Sequence, residues 1–164
     1  MLGGLAAEGV AFRLVVVGEN VRIDPTEFTD ARRDLDGRIE LLGYLEDRGD
    51  YLDQLGRADV VISAATHETF GISIVEAVVA GAVPVLPDRL SYPEVITERF
   101  HPICLYSGDD DGDSLRRSVR SVLTDIEAAR ASTDGLADEL RRFDWSLVAP
   151  AYDDRLEQLA ADGS

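Results

Sequence analysis

Short apolar runs alternate with helix-like segments along this chain, and that alternation limits its fold more than any other feature does. The runs cover residues 12–17, 38–42, 59–63, 83–86 and 102–106. The segments between them carry apolar residues at helical spacing, as in the helix predicted over residues 71–80. This rhythm predicts the α/β class: a doubly wound, mostly parallel, Rossmann-like sheet covered by helices.

Capping and stop residues mark several of the predicted helices. Asp24, Pro25 and Glu27 predict the start of the first long helix, and Gly37 predicts its end. Residues 50–57 predict the next helix, which leads into the strand at 59–63.

The two ends of the chain suggest contacts with further polypeptide. Leu2 and Leu5 are typical of the last turns of an amphipathic helix that stops at Gly9, and so short a helix is unstable alone. The final helix, in residues 143–164, carries an apolar stripe, and Pro150 either kinks or restarts it. We expect a single domain over residues 1–164 that lacks its first strand–helix unit and an N-terminal domain, with residues 143–164 packing toward that domain.

Composition supports one domain and excludes some classes of function. A chain of 164 residues, 45% of them hydrophobic, is long enough for one core and short for two. Its net charge of −16 and scattered basic residues argue against unassisted nucleic-acid binding. With one cysteine, no signal peptide and no apolar run of about 20 residues, the sequence predicts a soluble, cytoplasmic protein without a membrane partner.

An acidic run at residues 109–113 invites a metal interpretation. A calcium loop would need ligands at positions that here are Ser107 and Ser118. A solvated turn before a helix explains the run better, so we predict no metal site.

Two glutamates separated by seven residues, Glu68 and Glu76, bracket the start of the helix predicted over residues 71–80. Glu76 falls in the second turn beside Ile74 and Val75, where a carboxylate without a hydrogen-bonding partner is costly to bury. We therefore expect Glu76 to have a partner, either protein or ligand. The helix opening beside it leaves backbone N–H groups that attract an anion.

Three loops are predicted to meet at the carboxyl edge of the sheet, where open α/β sheets bind ligands. They begin at Gly18, at Gly43 and at residue 63. The amides of residues 71–73 suit a diphosphate, and Glu76 suits the vicinal diol of a ribose. Glu68 then lies where a second hydroxylated group would sit. A nucleotide-sugar presents a base, a ribose, a diphosphate and a sugar in this order.

These residues resemble the signature of a known family. His67-Glu68, Phe70-Gly71, Glu76-Ala77 and the Gly-x-x-Pro run at residues 81–84 are similar to the E-x7-E motif of retaining glycosyltransferases of family 4. In that family the motif lies in the C-terminal half of the two-domain GT-B fold, which binds the nucleotide-sugar donor. The resemblance covers nearly the whole chain and implies a glycosyltransferase whose donor is a substrate, with no cofactor.

The resemblance also implies roles for individual residues. Glu76 would bind the ribose, the amides of residues 71–73 the diphosphate, and residues 43–45 the base. Glu68 would contact the transferred sugar and is the predicted catalytic residue. The predicted donor-binding residues are Gly18, Gly43, Tyr44, Leu45, His67, Phe70, Gly71, Ile72, Ser73 and Glu76.

Within the family, His67-Glu68, residues 43–45 and residues 90–94 look most like the tRNA-queuosine mannosyltransferases, which use GDP-mannose. This narrower resemblance implies mannosyl transfer to queuosine, with the tRNA held by other regions because the surface here is acidic. The family also carries an Arg and a Lys on its first strand–loop–helix, and no residues of this chain match them. We therefore expect this chain to be inactive alone and the intact protein, with its acceptor-binding domain, to be the enzyme.

Two other interpretations of the residues remain open. The chain is also compatible with half of a nucleotide-sugar epimerase, which would need further acid–base carboxylates. From a different class, it is compatible with a regulatory or interaction domain that binds a nucleotide or phosphate without catalysis.

Overall fold

The structure is a computed structural model that describes residues 1–18, 26–35, 37–108 and 112–162. The predicted cap at Asp24 and Pro25, the loop residue Glu19 and the acidic residues 109–111 lie outside the described residues, as does the side chain of Glu27.

The described residues form five strands and ten α-helices, with one or two α-helices between successive strands and four α-helices after the last strand. The strands are β1 (Leu14–Val17), β2 (Ile39–Gly43), β3 (Val60–Ile62), β4 (Val83–Pro87) and β5 (Leu105–Tyr106). The helices are α1 (Leu2–Ala7), α2 (Thr26–Asp34), α3 (Arg48–Arg57), α4 (Ile72–Val79), α5 (Tyr92–Val95), α6 (His101–Cys104), α7 (Asp113–Thr124), α8 (Ile126–Ser132), α9 (Leu136–Leu140) and α10 (Trp145–Asp162).

All strand pairs are parallel, but they form two sheets. β1 pairs with β2, with Leu14 opposite Ile39 and Val17 opposite Gly43. β4 lies between β3 and β5 in the second sheet. Among the described residues no ladder joins the two sheets, so each sheet keeps two unpaired edges, at β1 and β2 in the first and at β3 and β5 in the second. The predicted parallel α/β fold is confirmed, with its strands divided between two sheets.

The core is built on both faces of β4, whose side chains alternate between them. Leu86 faces a cluster that includes Tyr92 and α4, while Val85 faces a cluster formed with α1 and α7. Leu86 and Val85 are both 0% exposed. Full burial of a side chain of this size contributes about 1.5–3 kcal/mol.

The short helix α1 is held by tertiary contacts. Its Leu5 is fully buried in the cluster with α7, and Glu8, just after α1, pairs with Arg116 at 3.3 Å and with Arg120 at 2.8 Å. Gly9 follows with φ of +79°, a left-handed conformation that ends the helix. The predicted stop at Gly9 is confirmed.

The strand predicted over residues 102–106 is wrong in its first part. Residues 101–104 form α6, and only Leu105–Tyr106 pairs with β4. Pro102 occupies the first turn of α6, where its fixed φ favours a helix and its missing N–H does no harm. The His101 ring supports this turn through Nε2, which lies 2.8 Å from the carbonyl oxygen of Ile96.

The last helix, α10, runs without a break through Pro150. Its large apolar side chains are mostly exposed, so the predicted stripe does not belong to the core of this domain. The exposed residues are Trp145, Leu147, Tyr152, Leu156 and Leu159. Across the described residues, no helix combines the length and the hydropathy that a membrane crossing requires.

Cys104 is 1% exposed, and burial raises the pKa of its thiol to about 12. Since the thiolate is the reactive form and exists only near or above that pH, the folded protein is expected to resist iodoacetamide at pH 8. Mass spectrometry should find Cys104 unmodified in buffer and fully alkylated in 6 M guanidinium, within a time that labels free cysteine completely. Rapid labelling of the folded protein would contradict this burial.

Candidate functional site

The loop after β3, residues 63–71, is anchored at its start by hydrogen bonds of buried hydroxyl groups. The Ser63 hydroxyl forms a hydrogen bond of 2.8 Å with the Tyr92 hydroxyl and accepts a hydrogen bond of 3.2 Å from the Ala65 amide. The Tyr106 hydroxyl donates to the Ser63 carbonyl at 3.0 Å. Ser63 and Tyr92 are almost fully buried, and their polar groups satisfy one another.

A segment after β4 holds the same loop from the side. Arg89 donates from Nη2 to the Ala65 carbonyl at 3.0 Å, and the Ser91 hydroxyl donates to the Phe70 carbonyl at 3.1 Å. Between them, Leu90 has φ of +60°, a conformation that costs a non-glycine residue roughly 1–3 kcal/mol. The surrounding hydrogen bonds keep this strained turn against the loop.

The first glutamate of the motif, Glu68, lies on this loop and caps it. Its Oε1 accepts hydrogen bonds from the backbone amides of Thr69 at 2.9 Å and Phe70 at 3.2 Å. The neighbouring His67 is exposed, with Nδ1 3.1 Å from the Thr66 hydroxyl. The structure therefore presents His67 and Glu68 together at the rim of the sheet.

Gly71 forms the turn from this loop into α4. Its φ of +86° lies in the left-handed region, and a Cβ built on it would lie only 3.1 Å from the Tyr92 ring. Ile72 and Ser73 are the exposed first residues of α4, and the helix itself leaves their N–H groups unpaired. These N–H groups and the helix dipole favour an anion at this end of α4.

Glu76, the second glutamate of the motif, is bound on both carboxylate oxygens by α3. The Arg48 guanidinium forms a short ion pair with Oε1, and the Tyr51 hydroxyl donates to Oε2 at 2.9 Å. The Glu76 side chain is 25% exposed, and that of Arg48 is 64% exposed. The expectation that Glu76 needs a partner is confirmed, and in this structure the partner is protein.

The electrostatics of this cluster are consistent with its geometry. Burial, with the hydrogen bond to Glu76, raises the pKa of Tyr51 to about 12, so the hydroxyl remains a donor at neutral pH. The hydrogen bond and charge of Glu76 raise the pKa of the Arg48 guanidinium. The Arg48 guanidinium also lies over the Tyr51 ring, 5.0 Å from its centre.

The loop after β2 leads directly into α3, which begins at Arg48. Asp47 caps α3 by accepting the amides of Gly49 at 2.7 Å and Asp50 at 3.1 Å. The preceding Tyr44 is 54% exposed, and Leu45 is half-buried. Because Arg48 and Tyr51 contact Glu76, α3, which follows residues 43–47, packs beside α4.

The remaining predicted residues, Gly18, Gly43 and Phe70, make other contacts. The Gly18 amide donates to the Gly43 carbonyl at 3.0 Å, which joins the ends of β1 and β2. Phe70 points inward, and its ring packs edge-on against Phe143 with 5.0 Å between centroids. Phe70 therefore supports its loop through the backbone, because its amide donates to Glu68 and its carbonyl accepts from Ser91.

Four residues of the site carry no clear signal in the sequence and were not predicted: Arg48, Tyr51, Arg89 and Ser91. A weak signal existed for the first two, since residues three apart share one face of a helix. Their partner Glu76 lies 28 and 25 positions away, so only tertiary packing reveals the contact. Within the described residues, His, Cys, Asp and Glu side chains form no group that could hold a metal ion.

The fold resembles that of known GT-B glycosyltransferases. Sucrose-phosphate synthase from Thermosynechococcus elongatus superposes on 98% of this chain with a TM-score of 0.79 and 20% identity, over 42% of its own length. At that identity, the likeness concerns the fold alone.

Residues 4–134 match the model of the family described as glycosyl transferases group 1. The chain belongs to this family. A tRNA-queuosine alpha-mannosyltransferase from Drosophila melanogaster is 38% identical over 52% of this chain and 22% of its own length. A phosphatidyl-myo-inositol mannosyltransferase from Mycolicibacterium smegmatis is 28% identical over 83% of this chain and 34% of its own. The chain thus spans about a third or less of these two relatives.

Proposed function

We propose that this chain is the donor-binding part of a retaining glycosyltransferase that uses a nucleotide-sugar as substrate. The observation that carries the proposal is the half-buried carboxylate of Glu76, held on α4 behind the exposed amides of Ile72 and Ser73. In this assignment Glu76 binds the ribose and the amides bind the diphosphate. Glu68, on the rim, contacts the transferred sugar.

We propose GDP-mannose as the donor and queuosine in tRNA as the acceptor. The support is the similarity to a tRNA-queuosine alpha-mannosyltransferase and to other mannosyltransferases. The net charge of −16 would repel tRNA, so the acceptor is assigned to other regions of the intact enzyme. The donor is a substrate in this scheme, and no cofactor is invoked.

Transfer with retention would pass through an oxocarbenium-like transition state while negative charge grows on the departing diphosphate. Preorganised dipoles facing such charge are commonly the largest contribution to catalysis. The N-terminus of α4 supplies that contribution from this chain. Further positive groups and the acceptor site are assigned to polypeptide outside this sequence.

We also propose that another domain of the intact enzyme packs against α10. Its apolar stripe, which includes Trp145 at 73% and Tyr152 at 63% exposure, places several large apolar side chains at the surface, as a protein interface does. The two sheets also have unpaired edge strands, with which a further strand of the intact enzyme can pair. Both features fit a chain that spans a third or less of its relatives.

Replacing Glu76 by glutamine is expected to weaken GDP binding at least about tenfold, because the amide loses the charge that strengthens hydrogen bonds to the ribose hydroxyls. Isothermal titration calorimetry with GDP and UDP measures the effect and shows which base is preferred. Binding of either nucleotide that disappears in E76Q supports the donor site.

Glu40 offers a matched control for Glu76. It is also a partly exposed glutamate that pairs with an arginine of α3, since its Oε1 lies 2.5 Å from Nη2 of Arg57. E40Q is expected to bind GDP as the wild type does. A folded wild-type chain that binds neither GDP nor UDP would contradict the proposal and favour an interaction domain without a nucleotide site.

A further inference from the structure

The contact between α3 and Glu76 has a consequence for ligand binding that depends on the proposed donor site. A carboxylate can accept about four hydrogen bonds, two on each oxygen. Arg48 uses one position on Oε1, and Tyr51 uses one on Oε2. One position therefore remains on each oxygen, and a vicinal diol presents two hydroxyl donors.

We propose that Tyr51 and Arg48 are positioning residues of the donor site, which orient the Glu76 carboxylate so that both of its oxygens accept hydroxyl groups of the ribose. Neither residue has to touch the ligand for this role. They act by restricting rotation about the side-chain bonds of Glu76 before the nucleotide arrives. Preorganisation of this kind lowers the entropic cost of binding.

The two residues contribute to the orientation in different ways. The Arg48 side chain is 64% exposed, and ion pairs at such exposure contribute little because solvent screens them. Tyr51 is partly buried and has a neutral, directional hydroxyl whose distance to Oε2, 2.9 Å, is typical of a normal hydrogen bond. Tyr51 is therefore the main positioning residue, and Arg48 the weaker one.

The arrangement at the other end of α3 provides an internal comparison. Arg57, the last residue of the helix, pairs with Glu40 of β2 at 2.5 Å and is 61% exposed. This pair resembles the Arg48–Glu76 pair in chemistry and exposure, but Glu40 lies outside the proposed site. Loss of Arg57 should therefore leave nucleotide affinity unchanged.

The test combines Tyr51→Phe with removal of the ribose hydroxyls. Calorimetry measures the affinities of wild type, Y51F, R48Q, R57Q and E76Q for GDP and for 2′,3′-dideoxy-GDP. Y51F is expected to weaken GDP binding about fivefold to tenfold and to leave the dideoxy analogue within about twofold of wild type. R48Q should show the same pattern with a smaller change, and R57Q should match wild type with both ligands.

The two variants E76Q and Y51F distinguish a failure of the positioning role from a failure of the donor-site assignment. If E76Q weakens the binding of GDP alone, while Y51F changes the affinity for both ligands equally or for neither, the positioning role is wrong and the donor site stands. If the wild type binds both ligands equally and E76Q has no effect, the ribose assignment fails and this inference fails with it. A thermal melt of Y51F checks that the variant is folded, because a purely structural role would lower Tm without changing the preference for the ribose hydroxyls.

Discussion

Replacing Tyr92 by alanine is expected to lower the free energy of unfolding by about 3–5 kcal/mol, the usual cost of removing a buried aromatic side chain. Tyr92 is 1% exposed and packs in the cluster that covers one face of β4. In a chain of 164 residues this change corresponds to a fall in Tm of roughly 6–20 °C. Thermal unfolding followed by circular dichroism measures it.

Tyr152 provides a control of the same residue type. It lies on α10 and is 63% exposed, so Y152A should change stability by less than about 0.5 kcal/mol. Tyr92→Phe should fall between the two, at about 1–3 kcal/mol, because the buried Ser63 hydroxyl then keeps only the Ala65 amide as a hydrogen-bonding partner. Equal melting temperatures for Y92A and Y152A would show that Tyr92 does not support the core as described.

Replacing Gly71 by alanine should both destabilise the protein and disturb the start of α4. A left-handed conformation costs an alanine about 1–2 kcal/mol, and crowding against Tyr92 adds about 1–3 kcal/mol. Since the Ile72 and Ser73 amides follow directly, any relief of the clash moves the proposed diphosphate site. We expect a lower Tm together with weaker GDP binding, measured by thermal melts and calorimetry.

Gly112 offers a control that separates backbone strain from crowding as causes of the destabilisation. It precedes α7 with φ of +87°, nearly the same as the +86° of Gly71, but none of the residues that the structure describes comes within 4 Å of a Cβ built there. G112A should therefore show only the cost of backbone strain and bind GDP normally. If G71A and G112A destabilise the protein equally, the contact with Tyr92 does not constrain the turn.

The sequence predicted local structure well because apolar periodicity and capping residues act over a few positions. The order of strands and helices and the turn at Gly9 follow from such signals. The strand predicted at residues 102–106 failed because an apolar run fits a buried helix as well as a strand, and Pro102 decides for the helix. The division into two sheets was not predicted, since strand pairing depends on tertiary structure.

The sequence likewise predicted only those parts of the site that local signals reveal. The cost of burying a carboxylate indicated that Glu76 needs a partner, and the structure contains two, Arg48 and Tyr51. The partners could not be named, because Arg48 and Tyr51 belong to a helix that looks ordinary in sequence. The hydrogen bonds from Arg89 and Ser91 to the loop at residues 63–71 were missed because their acceptors are backbone carbonyls, which carry no residue-specific signal.

The unpaired strand edges of the two sheets also bear on how copies of this chain behave in concentrated solution. An unpaired strand edge offers a row of backbone donors and acceptors on which another molecule can add a strand. Mutual repulsion between copies that each carry a net charge of −16 opposes such growth. The excess of aspartate and glutamate thus protects against aggregation, and that protection weakens as the pH falls toward the isoelectric point near 4.3.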